Sequence, residues 1–266
     1  KFPPGWRNRA PPRRLGATPG APSGKTGGMR PVTRTRRSAA SPLPQLPWRA
    51  VTNPHAPFEI LSADQIEAIH ETSLQMLEQI GVELMSVAAR DLLRGRGALV
   101  DEASGVVKLD RVIVEWALSQ APSTFTLTSR NPAKQLVIGG RNVAFGLVAG
   151  PPFVHDFERG RRAGNYADYC DFIRLAHYFN AIHLIGNQVC APVELPANSR
   201  HLDAYRANLV YSDLAYHCTA IGAGRARDGI EMMAISRGLS AEKMAASPGV
   251  LTIISVNSPR RFDEAM

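Results

Sequence analysis

The first long hydrophobic pattern runs from residue 62 to residue 81 and has the spacing of an amphipathic helix. Its apolar positions are Ile66, Ile69, Met76, Leu77 and Ile80. Ser62 followed by Gln65 is the capping-box pattern of a helix start, and Gly81 stands where helices commonly end. We therefore predict a helix over residues 63–80. Shorter helices over residues 88–95 and 111–120, with an extended stretch near 106–109, complete a predicted helical N-terminal layer.

Between residues 124 and 148 the pattern changes to short β-prone runs. The runs cover residues 124–129, 135–138 and 142–148, with Asn131-Pro132 and Gly139-Gly140 between them. Glycine and proline at such positions favour tight turns, so we predict hairpins. In the next stretch, GLVAGPPFVHD, glycines and paired prolines interrupt an apolar run. Such an interruption predicts a bulge, a sheet edge or a close approach of two backbones.

From Asn165, a predicted helix cap, helices and strands alternate. The predicted order is helix 167–178, strand 182–189, helix 199–213, strand 216–221, helices 225–236 and 241–245, and strand 250–256. Strands alternating with helices of this length predict a parallel sheet with right-handed crossovers. The pattern is compatible with a doubly wound sheet and with a (βα)8 barrel.

The ends of the predicted strands favour the barrel. No GxGxxG or Walker A pattern opens any of these helices, and Gly222-Ala-Gly224 is only a weak phosphate-loop candidate. Each strand instead ends in small or polar residues, as strands do where barrel loops build a site. These residues are Gly186, Asn187 and Gln188, then Gly222, then Asn257 and Ser258.

The last seventeen residues, VLTIISVNSPRRFDEAM, begin as an apolar, β-branched run typical of a buried strand. Ser258 and Pro259 then have the pattern of an N-cap and a first helical residue, with Asp263 and Glu264 a turn later. We therefore expect a core strand followed by the start of a helix, with the chain stopping inside that helix.

The charge of the chain is unevenly distributed. The net charge is +8, but residues 1–50 carry eleven Lys and Arg, no acidic residue and half of the prolines. The remainder is mildly acidic. We predict that residues 1–50 form a disordered Pro/Arg-rich arm, whose role could be that of a solvated tail, a subunit contact, or a nucleic-acid or targeting segment.

Cysteine usage and hydropathy bear on the compartment. Cys170, Cys190 and Cys218 lack CxxC spacing and lie in apolar segments, so we expect buried, reduced thiols rather than disulfides or a zinc site. No apolar run approaches the about eighteen residues of a membrane span, and no signal peptide is evident. We therefore expect a cytoplasmic protein without membrane contact.

Several separate stretches, in the right order, resemble the trimethylamine methyltransferase family. They are LSADQIEAIHETSLQMLEQIGVEL, RNPAKQLVIGGRNVAFGLVAGPPFVHDFERGRRAGNYADYCDFIRLAH, LPANSRHLDAYRANL and VNSPRRFD. The family comprises corrinoid-protein methyltransferases and includes glycine betaine methyltransferases that lack pyrrolysine. The resemblance covers roughly residues 46–266.

The resemblance implies an α/β fold built on a (βα)8 barrel with an N-terminal helical extension, in a homo-oligomer. It also implies transfer of a methyl group from a methylated amine to the cobalt of a corrinoid carried on a separate partner protein, with no cofactor bound directly. Since family chains are about twice this length, we expect three segments: the arm (1–50), a helical region (51–130) and a truncated first part of the barrel (131–266). The position that holds pyrrolysine in the trimethylamine branch would lie outside these three segments. We also expect the 266-residue chain to be inactive by itself.

Candidate site residues come from the predicted strand ends. A methylammonium ion is held best by aromatic faces and a nearby oxygen, so Phe153 is a candidate pocket wall and Asp156 a candidate counter-charge. Asn187, Gln188, Asn257 and Ser258 are the polar candidates at the barrel mouth. For each, an ordinary structural role is the alternative: packing for Phe153, a solvated loop for Asp156, capping for the polar residues. No catalytic residue is assigned, since methyl transfer to cobalt needs little acid or base chemistry.

The histidines receive structural interpretations. His217, at the start of its predicted strand, is expected at the stability end of a barrel. His183 is expected to be a hydrogen-bonded core histidine, and His201 to make an intrahelical or surface interaction. No metal site is predicted, because no histidine spacing with a supporting acid occurs.

Two other functions remain open on the residues alone. One is a barrel lyase or decarboxylase acting on a small anion. The other is a non-enzymatic scaffold whose basic arm binds nucleic acid or an acidic partner. Nucleic-acid binding is not the favoured interpretation, because the body of the chain is mildly acidic.

Overall fold

The computed structural model describes residues 43–186, 188–219, 221–254 and 260–264. The helices are α1 (Ala63–Gln75), α2 (Val87–Arg94), α3 (Arg111–Gln120), α4 (Tyr166–Tyr178), α5 (Arg200–Tyr211), α6 (Ala223–Arg237) and α7 (Ala241–Ala246). The strands are β1 (Val51–Thr52), β2 (Val82–Leu84), β3 (Leu99–Asp101), β4 (Val106–Lys108), β5 (Thr124–Leu127), β6 (Leu136–Gly139), β7 (Asn142–Val143), β8 (Phe153–Asp156), β9 (Gly160–Ala163), β10 (Leu184–Ile185), β11 (Ala215–His217), β12 (Val250–Leu251) and β13 (Arg261–Phe262).

The N-terminal region combines the predicted helices with a sheet. α1 begins at Ser62, whose hydroxyl accepts from the Gln65 N–H while the Gln65 side chain accepts from the Ser62 N–H, which confirms the predicted capping box. The helix continues as a π-helical turn over Met76–Ile80. A four-stranded sheet in the order β13-β2-β4-β3 accompanies the helices. The sequence analysis missed most of this sheet because β2 and β3 have only three residues each.

β13 corrects the prediction of a helix after residue 259. Arg261 and Phe262 pair in parallel with β2, and the Arg260 carbonyl accepts from the Glu83 N–H at 2.7 Å. Phe262 packs with Leu84 and Val107 in the small core of this sheet. An apolar side chain that finds a partner on a sheet edge therefore overrides the capping pattern of Ser258 and Pro259, which lie outside the described residues.

The C-terminal half contains a parallel sheet in chain order. β10 pairs with β11 and β11 with β12, all in parallel, and Gly146 makes a further parallel bridge to Leu184. α4 lies between the Gly146 segment and β10, α5 precedes β11, and α6 with α7 precedes β12. The predicted alternation of helices and strands is thus confirmed, and the chain has an α/β fold. No closed barrel is formed by the described residues.

Because side chains alternate along a strand, the sheet has two distinct faces. On the face that we call the helix face, Ile185, Tyr216 and Val250 pack with the apolar residues of α4, α5 and α6. On the opposite face, which we call the hairpin face, Leu184, Ala215 and Leu251 pack with residues of the antiparallel hairpin β5–β6. The hairpin predicted over 124–138 is therefore present and covers part of the sheet.

A short segment, residues 45–52, also packs against the hairpin face of the sheet. Trp48 joins the cluster on the hairpin face, and β1 pairs with β7. The Gln45 side chain accepts from the Asn180 N–H at 2.9 Å. The last residues of the predicted disordered arm, 45–50, therefore pack against the body. Residues 1–42 lie outside the described part of the chain.

His183 confirms the interpretation of a core histidine. It is buried, and its Nδ1 accepts from the Phe145 N–H at 3.0 Å while Nε2 lies 3.0 Å from the Arg49 carbonyl oxygen. Because Nδ1 accepts, Nε2 carries the proton of a neutral imidazole.

Among the described residues, no helix is both long and apolar enough to cross a membrane.

Candidate functional site

The carboxyl ends of the parallel strands meet at one edge of the sheet, which makes this edge the candidate site. The loops that leave it follow the Gly146 bridge, β10, β11 and β12. In parallel α/β sheets the ligand site lies at this end, because the loops there are free to carry functional groups while the strands fix their positions.

The first two loops are tied together through their backbones. A Cβ at Gly186 would lie 2.1 Å from the Leu147 carbonyl oxygen, so only glycine allows these two backbone segments to approach this closely. The Gly150 N–H donates to the Gln188 carbonyl at 3.0 Å, and the Ala191 N–H donates to the Pro151 carbonyl at 2.9 Å. Of the three alternatives predicted for the GLVAGPP stretch, a bulge, a sheet edge or a close backbone approach, the structure shows the close approach.

Gln188 has the only positive φ (40°) among the described non-glycine residues. For a residue with a Cβ this left-handed backbone is unfavourable, and such strain tends to be kept where function requires it. The residue is partly exposed, and its carbonyl is held by Gly150. The sequence analysis selected Gln188 for its polarity and could not detect this conformation.

Phe153 lies on β8, which forms an antiparallel hairpin with β9. Its side chain is 45% exposed. The guanidinium of Arg161, across the hairpin, lies 3.7 Å from the ring centroid. One face of this ring therefore already holds a cation, and that cation belongs to the protein itself.

Asp156 ends β8 and closes the turn of the hairpin. Its carboxylate accepts from the Arg159 N–H at 2.6 Å and from the guanidinium groups of Arg159 and Arg162 at 2.8 and 3.0 Å. The hydrogen bond from the Arg159 backbone, with those of the two guanidinium groups, lowers the pKa of Asp156 to about 2. Residues 153 and 156 point to opposite sides of the strand, so the hairpin does not place the ring of Phe153 and this carboxylate on one face.

Arg162 joins the hairpin to the following helix. Its guanidinium also pairs with Asp168, which is the third residue of α4 and completes a capping box with Asn165. The hydrogen bonds between the two side chains are the largest cause of both pKa shifts: they raise the pKa of Arg162 and lower the pKa of Asp168. The predicted cap at Asn165 is confirmed, and the ion pairs fix the hairpin relative to α4.

The position of His217 corrects its prediction. β11 ends at His217 instead of beginning near it, so the imidazole lies toward the carboxyl end of the sheet. It points to the hairpin face, on the same side as Ala215 and beside its register partner Leu251. Burial lowers its pKa, with no contribution from a neighbouring charge. Its ring nitrogens have no hydrogen-bond partner among the described residues.

His201 also differs from its prediction. It is buried between two helices, and its Nε2 lies 2.8 Å from Oδ2 of Asp228 on α6. Its Nδ1 is buried without a hydrogen-bond partner. The interaction is therefore interhelical rather than intrahelical or at the surface. A spacing of 27 residues across a βα unit leaves no local signal in the sequence.

The thiols are buried, as predicted. Cys170, Cys190 and Cys218 are all free and buried, and burial raises the pKa of Cys190 to about 11 and that of Cys218 to about 12. Both thiols are therefore protonated near neutral pH and are not poised as nucleophiles.

Within the described residues, no group of three or more His, Cys, Asp or Glu side chains could hold a metal ion.

Of the six predicted site residues, the structure places three, namely Phe153, Asp156 and Gln188. Asn187, Asn257 and Ser258 lie outside the described residues. Gln188 is tied through Gly150 to the loop that leads into the hairpin carrying Phe153 and Asp156. His217 and the strained backbone of Gln188 are the additional features of this edge.

Comparison with known proteins identifies relatives along most of the chain. Glycine betaine methyltransferase of Desulfitobacterium hafniense is 34% identical over 209 residues, which are 79% of this chain and 43% of that protein. Trimethylamine methyltransferase MttB of the same species is 33% identical over 117 residues, or 41% of this chain and 24% of that protein. Proline betaine:corrinoid methyltransferase of Eubacterium limosum is 29% identical over 129 residues, or 48% and 26%.

The chain thus spans less than half the length of these curated relatives. The family model described as trimethylamine methyltransferase (MTTB) matches residues 27–266. Because this match covers nearly all of the chain, the chain belongs to the trimethylamine methyltransferase family.

Proposed function

We propose that the protein containing this chain transfers a methyl group from a methylated amine or betaine to the cobalt of a corrinoid carried on a separate protein. The observation that carries the proposal is the family match over residues 27–266, with 34% identity to a glycine betaine methyltransferase over 79% of the chain. The name of the Eubacterium limosum relative refers to a corrinoid.

We further propose that the parallel sheet is the first part of a (βα)8 barrel. Two features support this: the strands follow one another in chain order, all in parallel, and a helix precedes each of β10, β11 and β12 on the same side of the sheet. In such a barrel the hairpin face would be the interior, and the hairpin β5–β6 with Trp48 would close its lower end. The edge that carries Gln188 and His217 would then be the mouth.

The corrinoid would supply a strongly nucleophilic cobalt that accepts the methyl group, so the protein has to bind, orient and shield the substrate. Phe153, Gln188, Asn187, Asn257 and Ser258 remain our proposed substrate-binding residues. Asp156 remains a proposed counter-charge, although Arg159 and Arg162 already pair with it. Phe153 can bind a methylammonium on the ring face that Arg161 does not cover.

We propose glycine betaine or a related betaine as the substrate. The relative with that name aligns over a larger share of this chain than the trimethylamine methyltransferases do. A homo-oligomeric assembly and a cytoplasmic location remain proposals as well. The family resemblance leads us to expect the homo-oligomer, and the cysteine usage of the chain leads us to expect the cytoplasmic location.

The test is methyl transfer by the full-length protein. Reduced cobalamin is incubated with the protein and either glycine betaine or trimethylamine, and methylcobalamin is followed by its absorbance spectrum. We expect methylcobalamin with glycine betaine, with an equal amount of dimethylglycine formed, and none when the amine is omitted. Absence of methylcobalamin with both amines, repeated with a corrinoid protein as acceptor, would contradict the proposal.

A further inference from the structure

His217 is a half-buried imidazole whose hydrogen-bonding capacity is unused. It ends β11 on the hairpin face, at the edge of the sheet where the loops of the candidate site begin. No described residue donates to its ring or accepts from it. At a partly exposed strand end, such an imidazole is available to form hydrogen bonds with a ligand.

The neighbours of His217 on its own face of the sheet are apolar or lack a side chain. Its register partner is Leu251, and Ala215 precedes it on the same face. Continuing the register from Ile185 and Tyr216 places Gly186 level with it on the neighbouring strand, where no side chain is present. Burial alone lowers its pKa. The imidazole is therefore neutral near neutral pH and offers one N–H donor and one nitrogen acceptor.

The unused N–H limits the chemistry of the group that it can bind. A quaternary ammonium has neither a hydrogen-bond donor nor an acceptor, and its methyl groups gain nothing from an imidazole N–H. A carboxylate on the same molecule is a strong acceptor, and a hydrogen bond to it from a neutral donor in an apolar setting is charge-assisted. We propose that His217 is a specificity-determining residue that donates a hydrogen bond to the carboxylate of a betaine-type substrate.

This inference rests on the proposed function and adds to it the reason for choosing a betaine over an amine without a carboxylate. The ammonium end would then lie away from His217, toward the loops that carry Gln188 and the Phe153 hairpin. Trimethylamine, which lacks a carboxylate, would not use His217.

The experiment compares ligands with and without the carboxylate by calorimetric titration of the full-length protein. His217→Leu should weaken glycine betaine binding roughly 10-fold or more, because a hydrogen bond to a charged group is lost. It should leave tetramethylammonium binding within about twofold, since that probe presents only the ammonium. His217→Gln keeps an N–H donor and should restore most of the affinity for betaine.

His70→Leu is the matched control, since His70 is another partly exposed histidine but lies on α1, away from this sheet. It should change neither affinity. If His217→Leu does not fold, His217→Met serves for the same comparison. Unchanged betaine affinity in the Leu variant, or an equal loss for both ligands, would overturn the role of His217 while leaving the proposed function standing. A wild-type protein that binds no methylated amine would overturn both.

Discussion

Gly229, on α6, packs directly against Cys218, the residue that follows β11. A Cβ there would lie 2.2 Å from Cys218 Sγ and 3.2 Å from the Tyr205 ring. Gly224, in the same helix α6, would meet no atom within 4 Å. The same substitution at the two positions should therefore have opposite effects on stability.

Gly229→Ala should lower the free energy of unfolding by about 1–3 kcal/mol, because the added methyl overpacks the contact of α6 with Cys218 and Tyr205. Gly224→Ala should raise it by about 0.4–1 kcal/mol, since alanine restricts the unfolded chain without a clash. Urea denaturation of the two variants measures both values. Equal effects at both positions would contradict the packing described for Gly229.

At this scale the sequence predicts the role of a residue when a neighbouring pattern fixes its environment. His183 lies in an apolar run, and its two hydrogen bonds in the core confirm that interpretation. His217 was placed at the wrong end of its strand because Cys218, Ala220 and Ile221 seem to continue the apolar run. There the Thr219 N–H donates to the Tyr205 hydroxyl, so a side chain on α5 takes the place of a strand partner.

The hairpin β8–β9 is held by ion pairs at its turn and to α4. Since the folded pKa of Asp156 is about 2, below its ordinary value of 3.8, its ion pairs contribute stability above about pH 4. That contribution is lost as the pH falls from about 4 to 2. Asp156→Asn should therefore increase the exchange of hairpin amides near neutral pH and reduce the acid dependence of that exchange.

Hydrogen exchange of residues 153–163, followed by mass spectrometry, measures this effect. Asp171→Asn is the control, because Asp171 pairs with Arg174 on the exposed side of α4 and does not touch the hairpin. Its substitution should leave hairpin exchange within about twofold, as expected for a surface ion pair. The same protection in the Asp156 variant and in the wild type would show that Asp156 does not hold the turn.

Helices were predicted more closely than strands for a physical reason. α4, α5 and α6 begin and end within two residues of their predicted bounds, because caps and 3.6-residue periodicity are local signals. β10, β11 and β12 span only two or three residues, although apolar runs of six to eight predicted them. An apolar run reports that side chains are buried, whereas a strand requires backbone pairing with a distant segment.

For the whole molecule, the order of helices and strands was sufficient to predict an α/β fold with parallel pairing. Pairing between distant segments was not predictable: β13 joins β2 through the pairs Arg261–Glu83 and Phe262–Leu84, from opposite ends of the described chain. The site was predictable only as an edge of the sheet. The ion pairs of Asp156 and the strain of Gln188 depend on loops whose conformation no local pattern specifies.

One apolar surface of the molecule remains uncovered among the described residues. A groove of ≈ 580 Å³ lies between α6, α7 and β12, and β12 has a paired neighbour on one side only within the described sheet. Ile235 lines this groove and is 67% exposed, and Ile253 and Ile254 beyond β12 are also exposed. An edge strand beside an apolar groove favours association with another copy of the same chain.

We therefore expect the 266-residue chain, expressed alone, to associate in a concentration-dependent way in sedimentation velocity experiments. Ile235→Lys should weaken this association roughly tenfold, because a charge would have to be buried without a partner. Ile69→Lys, at an exposed isoleucine on α1, should leave it unchanged. A monomer at every concentration, with cooperative unfolding, would mean that this groove does not drive contacts between copies.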